Sequence, residues 1–296
     1  AASDVYKRQV LRNASYINKM IIWLASYPKS GNTWVRSFLS AYYFTDDGKF
    51  DFGLLEKFNQ FPSKDFVNKN LKSPNEIVRY WHPVQEDILK NKKIRFLKTH
   101  NALIKLGNIK FTTPKYTLGV IYILRDPRNM ITSLKNHTDI SYDEALNFIT
   151  NDETILYDTK VNDFDATHYI SSWRMHYKSW LLNKIFKKFI IKYEDLENNT
   201  EEVLNKLVIF VNSLIGNNQK IDKSKFQNAI KTTSFENLQS KEIKGEFLEN
   251  AISLKTNKKV KFFNLGSKNK WEKILPEKFK IKLNNEFKED LKFLKY

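Results

Sequence analysis

The chain has 296 residues, 41% of them hydrophobic and 14% aromatic, which supplies a large core and excludes a wholly disordered chain or a coiled coil. It contains no cysteine, so a disulfide framework, a thiol nucleophile and cysteine-ligated metal or iron–sulfur sites are excluded. Against 33 acidic residues stand 50 basic ones, a net charge of +17 that attracts anions: nucleic acid, a membrane or a phosphorylated small molecule.

In chain order, residues 1–19 read as a disordered or artefactual leader. Asp4-Val5-Tyr6-Lys7-Arg8-Gln9 is what a sequencing adapter would encode if translated, and Met20 is the expected natural start. No apolar run reaches the ~20 residues that span a bilayer, and the N-terminus lacks the apolar stretch of a signal peptide. A soluble, cytoplasmic protein with no membrane partner is expected. There is no internal repeat, low-complexity tract or Pro/Gly/Ser linker, which favours one domain over residues 20–296.

Met20 to Tyr27 is a short apolar run that reads as a buried parallel strand. It breaks at Pro28 and Gly31, and a helical pattern follows from Thr33 through Val35, Phe38, Leu39 and Tyr42. Ile94 to Thr99 and Leu118 to Leu124 read as a second and third strand, the third ending in Asp126 as helix cap and Pro127 at the first helical position. About sixty residues that read as helical or irregular separate it from a fourth strand, Phe189 to Tyr193, which a helix follows from about Thr200. This pattern predicts an α/β fold, a three-layer sandwich around a parallel sheet, with chemistry at the carboxyl ends of the strands. The excess charge gathers at the end of the chain: residues 253–296 hold 13 lysines and 5 acidic residues, a net of +8.

The loop after the first strand is Tyr27-Pro28-Lys29-Ser30-Gly31-Asn32-Thr33-Trp34. A glycine loop between strand and helix offers backbone N–H groups at the positive end of the helix dipole, and Lys29 adds a mobile charge, so the loop suits a phosphate. It is not a Walker A loop, because the lysine precedes the glycine.

This segment resembles the 5′-phosphosulfate loop of the cytosolic type of sulfotransferase, enzymes that use 3′-phosphoadenosine 5′-phosphosulfate (PAPS). Four further segments match in order: Lys98-Thr99-His100; Arg125 with Ser133; Tyr193-Glu194-Asp195-Leu196 with Thr233-Ser234-Phe235; and Gly266 followed by Trp271. The resemblance covers about Met20 to Trp271 and implies a P-loop NTPase-like sandwich, PAPS as co-substrate, adenosine 3′,5′-bisphosphate as product and no metal. It implies that His100 is the general base, that Lys29 stabilises the leaving phosphate and that Lys98 holds the sulfuryl oxygens. Ser30, Gly31, Asn32 and Thr33 then line the phosphosulfate, Arg125 and Ser133 the 3′-phosphate, and Trp34, Tyr193, Thr233, Ser234 and Phe235 the adenosine. For His82, His137, His168 and His176 an ordinary structural role is expected.

One departure stands out. The family usually carries Arg-Lys-Gly where this chain has Asn264-Leu265-Gly266, which removes two cations from the 3′-phosphate and leaves backbone near Gly266, with Lys268 or Lys270, as substitutes. No short C-terminal dimer motif is present, so the oligomeric state is open. The segments Phe50 to Lys92 and Asn136 to Asp165 are expected to wall the acceptor pocket with Phe58, Phe61, Phe66, Trp81 and Phe148. The expected partner is a small-molecule or carbohydrate acceptor rather than nucleic acid. Two other readings stay open: a kinase-like phosphoryl transferase, for which no convincing metal carboxylate is found beyond Asp126, and a nucleic-acid-binding protein using the basic C-terminal segment around Lys261-Phe262-Phe263.

Overall fold

The computed structural model describes residues 20–90, 94–158, 163–247, 249 and 259–296. The leader expected over residues 1–19 lies outside them. In chain order the strands are β1 (Ile21–Ser26), β2 (Phe58–Gln60), β3 (Arg95–Thr99), β4 (Lys105–Leu106), β5 (Ile109–Lys110), β6 (Thr117–Leu124), β7 (Ile155–Asp158), β8 (Asp163–Tyr169) and β9 (Lys188–Lys192). The α-helices are α1 (Asn32–Phe44), α2 (Trp81–Ile88), α3 (Pro127–Thr138), α4 (Tyr142–Thr150), α5 (Trp173–Leu181), α6 (Tyr193–Asn198), α7 (Thr200–Ile215), α8 (Lys223–Thr232), α9 (Phe235–Ile243), α10 (Trp271–Ile274), α11 (Glu277–Glu286) and α12 (Lys288–Leu294).

All six residues of β1 are buried, as a strand covered on both faces requires. Its alternate side chains serve two cores. Ile21, Trp23 and Ala25 pack with Val120 and Tyr122 of β6 against α3, α4, α5 and α11. Ile22 and Leu24 pack with Ile121 and Ile123 against Val35, Phe38 and Leu39 of α1 and Leu204, Leu207 and Val211 of α7. The period of two along the strand thus builds the sandwich of the expected fold class, helix layers on either side of a sheet.

The sheet runs β2-β3-β1-β6-β9 with every neighbouring pair parallel. Four of these strands match the apolar runs; β2 is a fifth that the sequence did not announce. Its three residues, Phe58-Asn59-Gln60, carry no strand pattern of their own and become a strand by pairing with Phe96, Leu97 and Lys98. The stretch read as helical or irregular holds α3, α4 and α5 but also the antiparallel pair β7–β8. Asp126 caps α3 as expected, accepting from Arg128 N at 2.9 Å, with Pro127 at the first helical position. No helix among the described residues is long and apolar enough to cross a membrane.

β8 also anchors the loop that follows β2. Asp165 is fully buried, and its carboxylate accepts from the backbone N–H groups of Lys69, Asn70 and Leu71 at 2.9, 3.0 and 2.9 Å. Asp165→Ala leaves these donors without a partner, and a charge-assisted bond is worth more than a neutral one. A loss of about 3 kcal/mol is expected, read as a lower urea midpoint, with Asp165→Asn falling between; an unchanged midpoint would contradict this role.

Candidate active site

The parallel register brings the carboxyl ends of β1, β3 and β6 to one edge of the sheet, where a cavity of about 770 Å³ opens. The loop leaving β1 bends through two left-handed residues, Lys29 at φ 65° and Gly31 at φ 98°. A Cβ on Gly31 would lie 2.6 Å from the Tyr193 ring, so both the backbone and the space require glycine there. No side chain caps the start of α1, which leaves its first N–H groups and the positive end of its dipole for a ligand.

Arg125, at the end of β6, ties three elements together. Its Nη1 donates to the Lys29 carbonyl at 2.8 Å, and its guanidinium lies 3.9 Å from the Tyr193 ring centre. Trp34 meets the same ring edge-on at 5.9 Å. The Lys29 ammonium sits 3.7 Å over the ring of Phe262. Burial, together with Arg125 and Lys98, lowers its pKa to about 7.

His100 follows β3. Its Nδ1 donates to the Ser26 carbonyl at 2.8 Å. Because a carbonyl only accepts, the proton is on Nδ1 and the Nε2 lone pair is left for another partner. Burial, then Lys98 and His168, hold His100 well below the usual histidine range, so this ring is a neutral base. His176 steadies it: Tyr122 Oη lies 2.8 Å from His176 Nδ1, and His176 Nε2 lies 3.2 Å from the His100 carbonyl. His168 accepts from Gln60 Nε2 at 2.8 Å, its ring 6.2 Å from that of His100.

The cavity wall holds Lys29, Gly31, Asn32, Thr33, Trp34, Lys98, His100, Arg125, Ser133, Tyr193, Phe235, Asn264 and Gly266 together. Asn32 turns its Nδ2 into the sheet, donating to the Leu24 carbonyl and Ser26 Oγ, both at 3.2 Å. Gly266, at φ 53°, packs on Phe235, whose ring a Cβ would meet at 2.7 Å.

Three residues expected in the site have side chains engaged elsewhere and do not line the cavity. Ser30 Oγ donates to Met130 Sδ at 3.7 Å, Thr233 Oγ1 donates to the Ala229 carbonyl at 2.6 Å, and Ser234 Oγ caps α9 by accepting from Asn237 N at 3.3 Å. Lys268 and Lys270 also lie outside the wall, and Lys270 pairs with Glu197 at 2.8 Å. Of the aromatics expected at the acceptor, Phe58 and Phe148 line the cavity, while Phe61 and Trp81 are buried in the core and Phe66 packs half-buried against it. The Asp126 carboxylate is occupied by the α3 cap and by Arg128 at 2.7 Å, and among the described residues no cluster of three His, Asp or Glu side chains is arranged to hold a metal ion.

Sequence reasoning missed Arg36, His137, Glu249 and the use of Phe262, all of which line the cavity. Arg36 had a signal: it lies three and four residues after Thr33 and Asn32, on the same helical face. His137, expected to be an ordinary histidine, has its pKa lowered to about 3 by burial, Lys29 and Lys98, and its ring meets Phe262 edge-on at 5.4 Å.

A family model described as the sulfotransferase domain matches residues 20–295. The chain is similar to cytosolic sulfotransferase 15 of Arabidopsis thaliana, at 24% identity over 248 residues, and this match covers 81% of the chain and 61% of that relative. Its fold is similar to the crystal structure of mouse sulfotransferase SULT7A1 complexed with PAP, with a TM-score of 0.55 and 18% identity over 93% of this chain and 85% of the other.

Proposed function

The chain belongs to the sulfotransferase domain family, and from that premise we propose that it transfers a sulfuryl group from PAPS to a hydroxyl or amine of a small-molecule or carbohydrate acceptor, releasing adenosine 3′,5′-bisphosphate, with residues 20–296 acting as one domain. The observation that carries this reading is one cavity in which Lys29, Arg125 and a neutral His100 of fixed tautomer face the same space. The wall fits an anionic nucleotide, since two buried guanidinium groups, Arg36 and Arg125, each keep an Nε without a partner among the described residues.

Bound there, PAPS supplies an activated sulfuryl group on its 5′-phosphate. His100 Nε2 takes the proton of the attacking hydroxyl or amine as the new bond to sulfur forms. Lys29 neutralises the charge left on the 5′-phosphate oxygen as the old S–O bond breaks, a charge larger in the transition state than before it. Lys98 holds sulfuryl oxygens, Arg125 and Ser133 hold the 3′-phosphate, and Trp34, Tyr193 and Phe235 flank the adenine with their rings.

Isothermal titration should show adenosine 3′,5′-bisphosphate binding in preference to ATP and ADP, and a clear preference for ATP would overturn the reading. His100→Ala should lower turnover by about 10²–10⁴-fold, the worth of a general base, while affinity for the bisphosphate survives; turnover near wild type would remove the base assignment. The pH dependence follows from Lys29. In the free protein it loses its proton above about 7, and an anion on it restores that proton, so binding takes up a proton on the alkaline side. Affinity for the bisphosphate is therefore expected to fall between pH 7 and 9 by up to ~tenfold per unit, with a shallower slope in Lys29→Met, where Lys98 at about 8 still titrates.

A further inference from the structure

We propose that Arg36 and Lys98 together form the clamp for the transferring sulfuryl group, and that the carboxylate of Glu249 occupies this clamp until the donor displaces it. The proposal rests on the sulfotransfer reading above and assigns a further catalytic residue, Arg36, and an internal competitor, Glu249.

Arg36 lies one turn into α1, directly after the loop that carries Lys29, and its side chain is only 3% exposed. A guanidinium so deep in a protein requires an anion beside it. Here the anion is Glu249, whose Oε1 lies 2.6 Å from Arg36 Nη2, while its Oε2 lies 3.7 Å from Lys98 Nζ. One carboxylate thus spans both cations with its two oxygens. The Lys98 side chain is 10% exposed, and all three groups line the same cavity as Lys29 and His100. A pair of cations that takes two oxygens of a carboxylate presents the donors that oxygens of a sulfuryl group need.

The two sides of this contact differ in how firmly they are held. The Arg36 and Lys98 side chains are 3% and 10% exposed, whereas that of Glu249 is 39% exposed. The anion is therefore the exchangeable member. Without it, Lys29, Arg36, Lys98 and Arg125 would crowd one cavity as like charges. With the donor in place the sign reverses, because a carboxylate on the clamp would face the sulfuryl oxygens as a like charge. Glu249 and the sulfuryl group accordingly exclude one another, and donor affinity is lowered by the strength of the Glu249 contact. Arg36 Nε, buried without a partner among the described residues, is a further donor on the same guanidinium.

PAPS and adenosine 3′,5′-bisphosphate differ by the sulfuryl group alone, so comparing them isolates the clamp. Both are titrated calorimetrically into the full chain without acceptor, as wild type, Glu249→Gln and Arg36→Met. Glu249→Gln is expected to tighten PAPS about tenfold, a typical coupling between sites, and to leave the bisphosphate within about twofold. Arg36→Met is expected to weaken PAPS and not the bisphosphate, provided its melting curve matches wild type. Should it fail to fold, the exposed Glu249→Gln decides alone. If Glu249→Gln moves both ligands equally, or neither, the clamp is overturned while the sulfotransfer reading stands. A wild-type chain that binds neither nucleotide overturns both.

Discussion

The hydrogen bond from Arg125 to the Lys29 carbonyl is the contact on which the site depends. Lys29 adopts a left-handed backbone conformation that costs a residue with a Cβ on the order of 1 kcal/mol, and a loop of this kind persists only when its surroundings fix it. Arg125 supplies the fixation from the neighbouring strand, and Tyr193 supplies it from below, packed so closely that only glycine fits at Gly31. The two strands are parallel and in register, Ser26 beside Ile123, so both loops emerge at the same edge. Parallel pairing thereby brings Lys29 and Arg125 from two distant segments onto one cavity wall.

That surface crowds cations in a partly dry space, and the crowding has chemical consequences. Burial and the neighbouring charges bring Lys29 to about 7 and Lys98 to about 8, while His100 stays neutral. The ring of Phe262 under the Lys29 ammonium offsets part of this repulsion, as does Glu249 beside Lys98. Glu56, Asp65 and Glu246 also line the wall, and Glu249 is the carboxylate that meets Arg36 and Lys98.

The parts of the fold legible in sequence were those whose pattern is set locally. β1 and β6 are buried on both faces and show as unbroken apolar runs, and the α3 cap shows as Asp126-Pro127. β2 was illegible because Phe58-Asn59-Gln60 is a strand only by pairing with β3, and β7–β8 because its pairing register shifts midway. In the site, motifs at strand ends located Lys29, Lys98, His100 and Arg125 in one cavity, since the backbone there fixes where a side chain can go. Thr233 and Ser234 read as adenosine contacts, but their hydroxyls serve the ends of α8 and α9, a competition for the same short side chains that sequence cannot settle. Glu249 was illegible for another reason: its meaning lies in Arg36 and Lys98, which approach it only through the tertiary fold.

The departure at Asn264-Leu265-Gly266 then acquires a physical sense. The two cations usual before that glycine are absent, Lys270 is bound to Glu197, and Lys268 lies outside the cavity wall. The Asn264 carbonyl accepts from Gln239 at 3.2 Å, and the cation this segment brings to the cavity wall is Lys261. Meanwhile Arg36 adds a guanidinium beside Lys98, on the side where Glu249 sits. Positive charge is thus added beside Lys98. Attraction falls off with distance and is strong only where water is excluded, so a cation moved from one end of a ligand to the other changes which end the protein grips most firmly. For an anion in this cavity, Arg36 beside Lys98 thus adds attraction at the Lys98 end, where Glu249 sits.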